Sequence, residues 1–107
     1  MSKELRPYKP THPGEVLKDE LLSRKITQKK FAESISVPYT ELNEVLNGKR
    51  SISANLALML EAALGIRAAI WINMQSRYDL EMARRDKNCK LKIEEIQKVC
   101  ADRKSVV

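Results

Sequence analysis

Apolar residues recur every three or four positions through most of this chain. Nowhere do they alternate as a half-buried strand requires, so every predicted element is a helix. Val16, Leu17, Leu21 and Leu22 form the inward side of a first helix that opens at His12-Pro13-Gly14-Glu15 and runs to about Arg24. Proline suits a first turn, and Glu15, Asp19 and Glu20 favour the N-terminal end of the helix dipole. Thr27 is a good N-cap for a second helix with Phe31, Ala32 and Ile35 on its apolar side. Ser36-Val37 makes a turn, and Pro38 suits the first position of a third helix. Leu42, Val45 and Leu46 then fall at i, i+3 and i+4 and face inward, and Asn47-Gly48 stops that helix. Ser53 caps a fourth helix, Ala54 to Leu64, whose predicted buried side is Leu56, Met59, Leu60, Ala63 and Leu64; Gly65 ends it in the left-handed manner.

The fifth helix, about residues 67–85, carries two stripes. Ile70, Trp71, Met74, Tyr78 and Met82 form one, and Ala69, Ile72, Ser76, Leu80 and Ala83 form another, roughly opposite. A helix with two apolar sides needs two surfaces to pack on. One is its own domain; the other is either a second copy of the chain, with Ile70, Trp71, Met74 and Tyr78 as the expected dimer contacts, or the tail of the same chain. That tail, residues 87–107, is basic, and Cys89, Ile93, Ile96 and Cys100 at 4-3-4 spacing predict a short amphipathic helix. Residues 1–11 are polar with two prolines and are expected to form a flexible arm ahead of a helical domain over 12–86.

A length of 107 residues with 43% hydrophobic content fits one compact domain, and aromatics at 5% make its core aliphatic. No apolar run approaches the roughly 18 residues of a membrane span, and the first residues lack a signal peptide's apolar segment, so a cytoplasmic protein is expected. Net charge of +6 favours a polyanionic partner. Cys89 and Cys100 share a helix face but lie about 16 Å apart along it, too far to bridge within one chain; reduced, buried thiols are expected. Two cysteines and one distant histidine make no zinc site, and no motif calls for another metal or a cofactor. His12, the one histidine, reads as a cap or surface residue, and no catalytic motif is present, so an enzyme is not expected.

Residues 27–50 place two short helices around a tight turn with Tyr39, Thr40, Asn43 and Glu44 left on the outer face, the pattern of a DNA-binding helix-turn-helix. Thr27 and Gln28 fall where the motif's first helix meets the DNA backbone, and Lys49 and Arg50 suit flanking phosphates. Tyr39 and Thr40 can touch thymine methyls or base edges, and the Glu44 carboxylate can accept from cytosine. No Arg or Lys lies between Pro38 and Asn47, so specificity per monomer should be modest, with two monomers on a palindrome about 34 Å apart.

The run H-P-G-E-V-L-K-D-E-L-L at 12–22, the T-Q…F-A…V-P…L-N-G-K-R-S-I-S-A pattern at 27–54, L-A-L-M-L-E-A-A-L-G at 56–65 and W-I-N-M-Q-S-R-Y-D-L-E at 71–81 resemble the HigA/VapI-type antitoxins, within the lambda-repressor-like (Xre) helix-turn-helix class. The resemblance spans roughly residues 10–86. It implies an all-α, five-helix domain, here with an extra C-terminal helix, and a homodimer built through the fifth helix. It further implies neutralisation of a HigB-type ribonuclease toxin and autorepression through a palindromic operator. By the same resemblance Gln28, Tyr39, Thr40 and Glu44 fall at DNA-reading positions, Lys49 and Arg50 at a phosphate-contacting corner, and Trp71, Met74 and Tyr78 on the dimer helix. Family members often carry basic residues where this chain has Tyr39 and Glu41, and glycine where it has Ser36; the tail after Asp86 has no clear counterpart. A stand-alone transcription regulator, and a protein-interaction module that keeps the motif as a scaffold with little DNA binding, are the alternatives.

Overall fold

A computed structural model describes residues 10–102, so all but the last two residues of the expected arm lie outside the described part. Six helices follow one another: α1 (Pro13–Ser23), α2 (Gln28–Ser34), α3 (Tyr39–Leu46), α4 (Ala54–Leu64), α5 (Ala68–Arg85) and α6 (Lys87–Asp102). The class is all-α, with no strand among the described residues.

Four of the six helices start where a local side chain satisfies an orphan N–H group, while α3 begins at Pro38 without a side-chain cap. Thr27 Oγ1 accepts from Lys30 N at 3.1 Å and Ser53 Oγ from Leu56 N at 3.2 Å. The α5 N-terminus borrows its cap from α4: Glu61 Oε1 accepts from Ala68 N at 2.9 Å. At the other end of α4, Arg24 donates from Nη2 to the Leu64 carbonyl at 3.0 Å, and Gly65 turns the chain with φ 77°. Two residues with side chains also sit in the left-handed region, Ser36 (φ 57°), at the position expected from its place in the turn, and Lys25 (φ 58°), which no sequence signal marks. Each costs on the order of 1 kcal/mol.

Leu17, Leu21, Phe31, Ala32, Leu42, Val45, Leu46, Ile52, Leu56, Ala57, Leu60, Leu64 and Trp71 make one buried core. Its tightest joint is between α1 and α3. A Cβ on Gly14 would overlap the Val45 carbonyl, so only glycine lets the first turn of α1 lie against the α3 backbone. His12 closes the same corner. It is 4% exposed, its Nδ1 accepts from Gly14 N at 2.8 Å, and its ring meets Tyr78 edge-on at a centroid distance of 4.8 Å.

That cap requires a neutral imidazole. Burial lowers the His12 pKa below its ordinary 6.5, while the Asp79 and Glu15 charges pull it back up. A base whose folded pKa is depressed contributes stability that is whole above its unfolded value and lost as pH falls through the folded one. Urea midpoints should therefore hold steady down to about pH 6.5 and decline below it. A His12→Asn variant, which keeps a capping oxygen but cannot titrate, should lack that decline; equal slopes for the two proteins between about pH 6.5 and 5.5 would refute the assignment.

Several expected core positions lie elsewhere. Leu22 is 69% exposed, because the α1 stripe centres on Leu17 and Leu21 and leaves it at the rim. On α4, Met59 and Ala63 are exposed and Ala57 is buried in their place. That helix is apolar almost all round, so periodicity alone does not fix which side turns inward. On α5, Trp71 is fully buried in its own domain, packed with the core, and its indole N–H has no acceptor among the described residues. Trp71 therefore has no surface to offer another molecule, and its expected role as a dimer contact is corrected. Met74 and Tyr78 are half-buried, and Ile70 is exposed. The opposite stripe is open: Ala69, Ser76, Leu80 and Ala83 are exposed, with only Ile72 turned partly toward the core. The α6 helix, exposed at every residue from Lys90 to Ala101, does not cover Leu80, which stays 56% exposed. The thiols differ from expectation as well, since Cys89 is half-buried and Cys100 exposed.

Candidate nucleic-acid interface

The surface around α2 and α3 is assembled by the left-handed turn at Ser36, which folds α3 across α2. The backbone bond from Val37 N to Ala32 O (3.0 Å) closes that turn, and buried Phe31, Ala32 and Leu42 hold the helices together. With Leu42, Val45 and Leu46 turned inward, Tyr39, Thr40 and Glu44 point to solvent, as their spacing requires. An open hollow lies between the starts of α2 and α3, lined by Thr27, Gln28, Lys29 and Tyr39. Lys29 is absent from the residues expected to touch DNA, although the basic run at 24–30 contains it.

Hydrogen bonds tie this face into one piece. Asn43 Nδ2 donates to Gln28 Oε1 at 3.0 Å, and Asn47 Nδ2 donates to Asn43 Oδ1 at 3.1 Å. Asn43 is half-buried and engages both ends of its amide inside the motif, tying α3 to α2 and to the end of its own helix. Gln28 gives its oxygen to Asn43 and keeps its amide N–H groups for an acceptor outside.

The corner after α3 carries the charge. Gly48 (φ 75°) lets the chain turn back, with Lys49 N bonded to Glu44 O at 2.8 Å. Lys49 and Arg50 are both exposed. Arg50 places Nε and Nη2 on Glu44 Oε1, at 2.9 and 2.8 Å. The carboxylate on the outer face of α3 is thus matched by a cation within its own domain. Both side chains are about half exposed, so the pair contributes at most about 1 kcal/mol and can open for a phosphate. Behind the corner stands Gln75 of α5, which belongs to neither apolar stripe of that helix. It is buried, its Oε1 accepts from Ile52 N at 2.8 Å, and its Nε2 donates to Asp79 Oδ1 at 3.0 Å. Its sequence signal is a polar residue four positions after a core tryptophan, on the same helix face.

Residues 17–71 match the helix-turn-helix family. The chain is 39% identical over 77 residues to virulence-associated protein I of Dichelobacter nodosus, covering 71% of each protein. It belongs to the HigA/VapI-type branch of that family. Among solved structures, the HigA-family addiction-module antidote protein of Coxiella burnetii superposes with a TM-score of 0.73 at 37% identity, covering 82% of this chain and 95% of that one. Antitoxin HigA of Pseudomonas aeruginosa, solved with the higBA promoter, gives 0.74 at 32% identity over 80% of this chain and 95% of its own. These HigA structures are thus matched nearly end to end, while this chain carries residues beyond the shared domain.

Proposed function

We propose that this protein is the antitoxin of a type II toxin-antitoxin module. In this reading it neutralises a HigB-type ribonuclease toxin and, as a homodimer, binds the operator of its own operon as a repressor. The observation that carries the DNA half is the outer face of α3: Tyr39 and Thr40 are exposed at its start, Tyr39 shares a hollow with Gln28, and Glu44 further along holds Arg50 of the corner, on a domain of the kind that HigA of Pseudomonas aeruginosa presents in its structure with the higBA promoter. Gln28, Lys49 and Arg50 would meet phosphates, with Thr27 and Lys29 at the edge, while Tyr39 and Thr40 face base edges and Glu44 is released as Arg50 swings out. The exposed α5 stripe of Ala69, Ser76, Leu80 and Ala83, with exposed Ile70 to one side of it, is the surface left for a second copy or a toxin. The role is binding, performed in the cytoplasm, and calls on no cofactor and no catalytic residue. Among the described residues no helix is long and apolar enough to cross a membrane.

A gel shift against the protein's own promoter and a scrambled control tests the DNA half. With about four phosphate contacts per monomer, the log–log dependence of affinity on salt should have a slope near −7 for the dimer. No preference for the promoter, together with a flat salt response, would favour a scaffold for protein contacts, the reading that an α3 without Arg or Lys suggests. Co-expression with the adjacent toxin frame tests the other half: growth should resume and the two proteins co-purify. Persistent arrest without a complex would leave a stand-alone regulator.

A further inference from the structure

The α6 helix is sixteen residues long and stands largely in solvent. It begins deliberately: Asp86 ends α5 with an extended backbone and its Oδ2 accepts from Cys89 N at 2.9 Å, capping the new helix. A lone helix of this length is marginal in water, and its stability must come from covering an apolar face. Ile93, Ile96 and Val99 are between 42% and 50% exposed, with half-buried Cys89 and exposed Cys100 on the same side.

The face has a symmetry of its own. Cys89-x-x-x-Ile93-x-x-Ile96-x-x-x-Cys100 reads identically in both directions about the Glu94–Glu95 bond. At 4-3-4 spacing these residues occupy successive seam positions of a coiled coil. Running two copies antiparallel sets Ile93 of one chain against Ile96 of the other at the centre, and Cys89 against Cys100 at both ends. Flanking the seam, Lys90 then faces Gln97 of the partner subunit and Lys92 faces Val99 of the partner subunit, so no two like charges meet. Glu94 and Glu95 point away from the seam. A face with this internal two-fold matches a second copy of itself, as an isologous contact demands.

We propose that α6 pairs antiparallel with the α6 of a second copy of this chain, with Ile93 and Ile96 at the centre and Cys89 opposite Cys100 at either end. The contact stands on α6 alone, independent of what the helix-turn-helix face binds.

Disulfide trapping of the full-length protein decides it. Diamide takes two electrons and two protons from a facing thiol pair, forming one S–S bond and being reduced to its hydrazine. Wild-type protein should give a linked dimer whose bridging peptides join Cys89 to Cys100. C89A and C100A alone, each keeping one thiol, should lose at least about tenfold of that product, because the remaining thiol then faces alanine across an antiparallel seam. Mixing the two variants should restore it to about half the wild-type yield, and I93E/I96E, altered only at exposed positions, should abolish it. Linked dimer from either single variant at wild-type yield means a parallel pair and overturns the proposal. So does free protein that yields no linked species and has its thiols shielded only when a toxin is added, since the face would then belong to the toxin.

Discussion

Replacing Gly14 by alanine should cost about 3 kcal/mol and lower the melting temperature by roughly 15 °C, the largest stability loss expected from adding one methyl group to this fold. The new Cβ has nowhere to go. It would overlap the Val45 carbonyl, which is backbone and already receives the Gly48 N–H at 3.0 Å. Relief requires sliding α1 off α3, which opens the core that Leu17 shares with Leu42 and Val45 and withdraws the His12 cap. Gly65→Ala is the matched control. Its φ of 77° strains any side chain, but nothing lies within 4 Å, so it should lose only about 1 kcal/mol. Thermal melts of both variants check this, and similar midpoints for the two would show that the α1–α3 contact is looser than described.

Arg50→Ala should weaken operator binding about 30-fold for the dimer and flatten the salt slope by nearly 2. Two effects act in the same direction. Each half-site loses a charge-assisted phosphate contact of about 1.5 kcal/mol or more, of which up to about 1 kcal/mol is already offset by breaking the Glu44 pair. The substitution also leaves the Glu44 carboxylate unopposed beside the phosphates. Glu44→Gln should do the reverse at the same place, freeing Arg50 and tightening non-specific binding several-fold while relaxing base preference. Titrations of wild type and both variants at two salt concentrations measure these effects. If Arg50→Ala changes neither affinity nor slope, the corner does not touch DNA.

Much of the fold is legible from single residues because its boundaries are local chemistry. His12, Thr27 and Ser53 carry the oxygen or nitrogen that a helix start needs, and Gly65 tolerates the left-handed end. Spacing along α3 likewise tells which side chains point out. What spacing does not fix is the rotation of a helix apolar on every side, hence Ala57 in place of Met59 and Ala63. Nor does residue type separate core from interface: Trp71 has the chemistry of an interface anchor and lies fully inside. The pairs that define the site span fifteen and six residues: Gln28 meets Asn43 only once the turn at Ser36 has brought α3 across α2, and Arg50 meets Glu44 only once the chain has turned back at Gly48. The single-residue candidates were visible; their partnerships were tertiary.

Gln75 bears on how binding at one end is felt at the other. Its amide joins the Ile52 N–H, just past the Lys49-Arg50 corner, to Asp79 on the body of α5. Buried and doubly bonded, it ties that corner to that helix. Under the proposed function, a ligand that tilts α5 would carry the Lys49-Arg50 corner with it. Linkage then runs both ways, and DNA must change the grip of that ligand by the same factor as the ligand changes the grip on DNA. Conversation between a protein partner and an operator would in this molecule be routed through one glutamine.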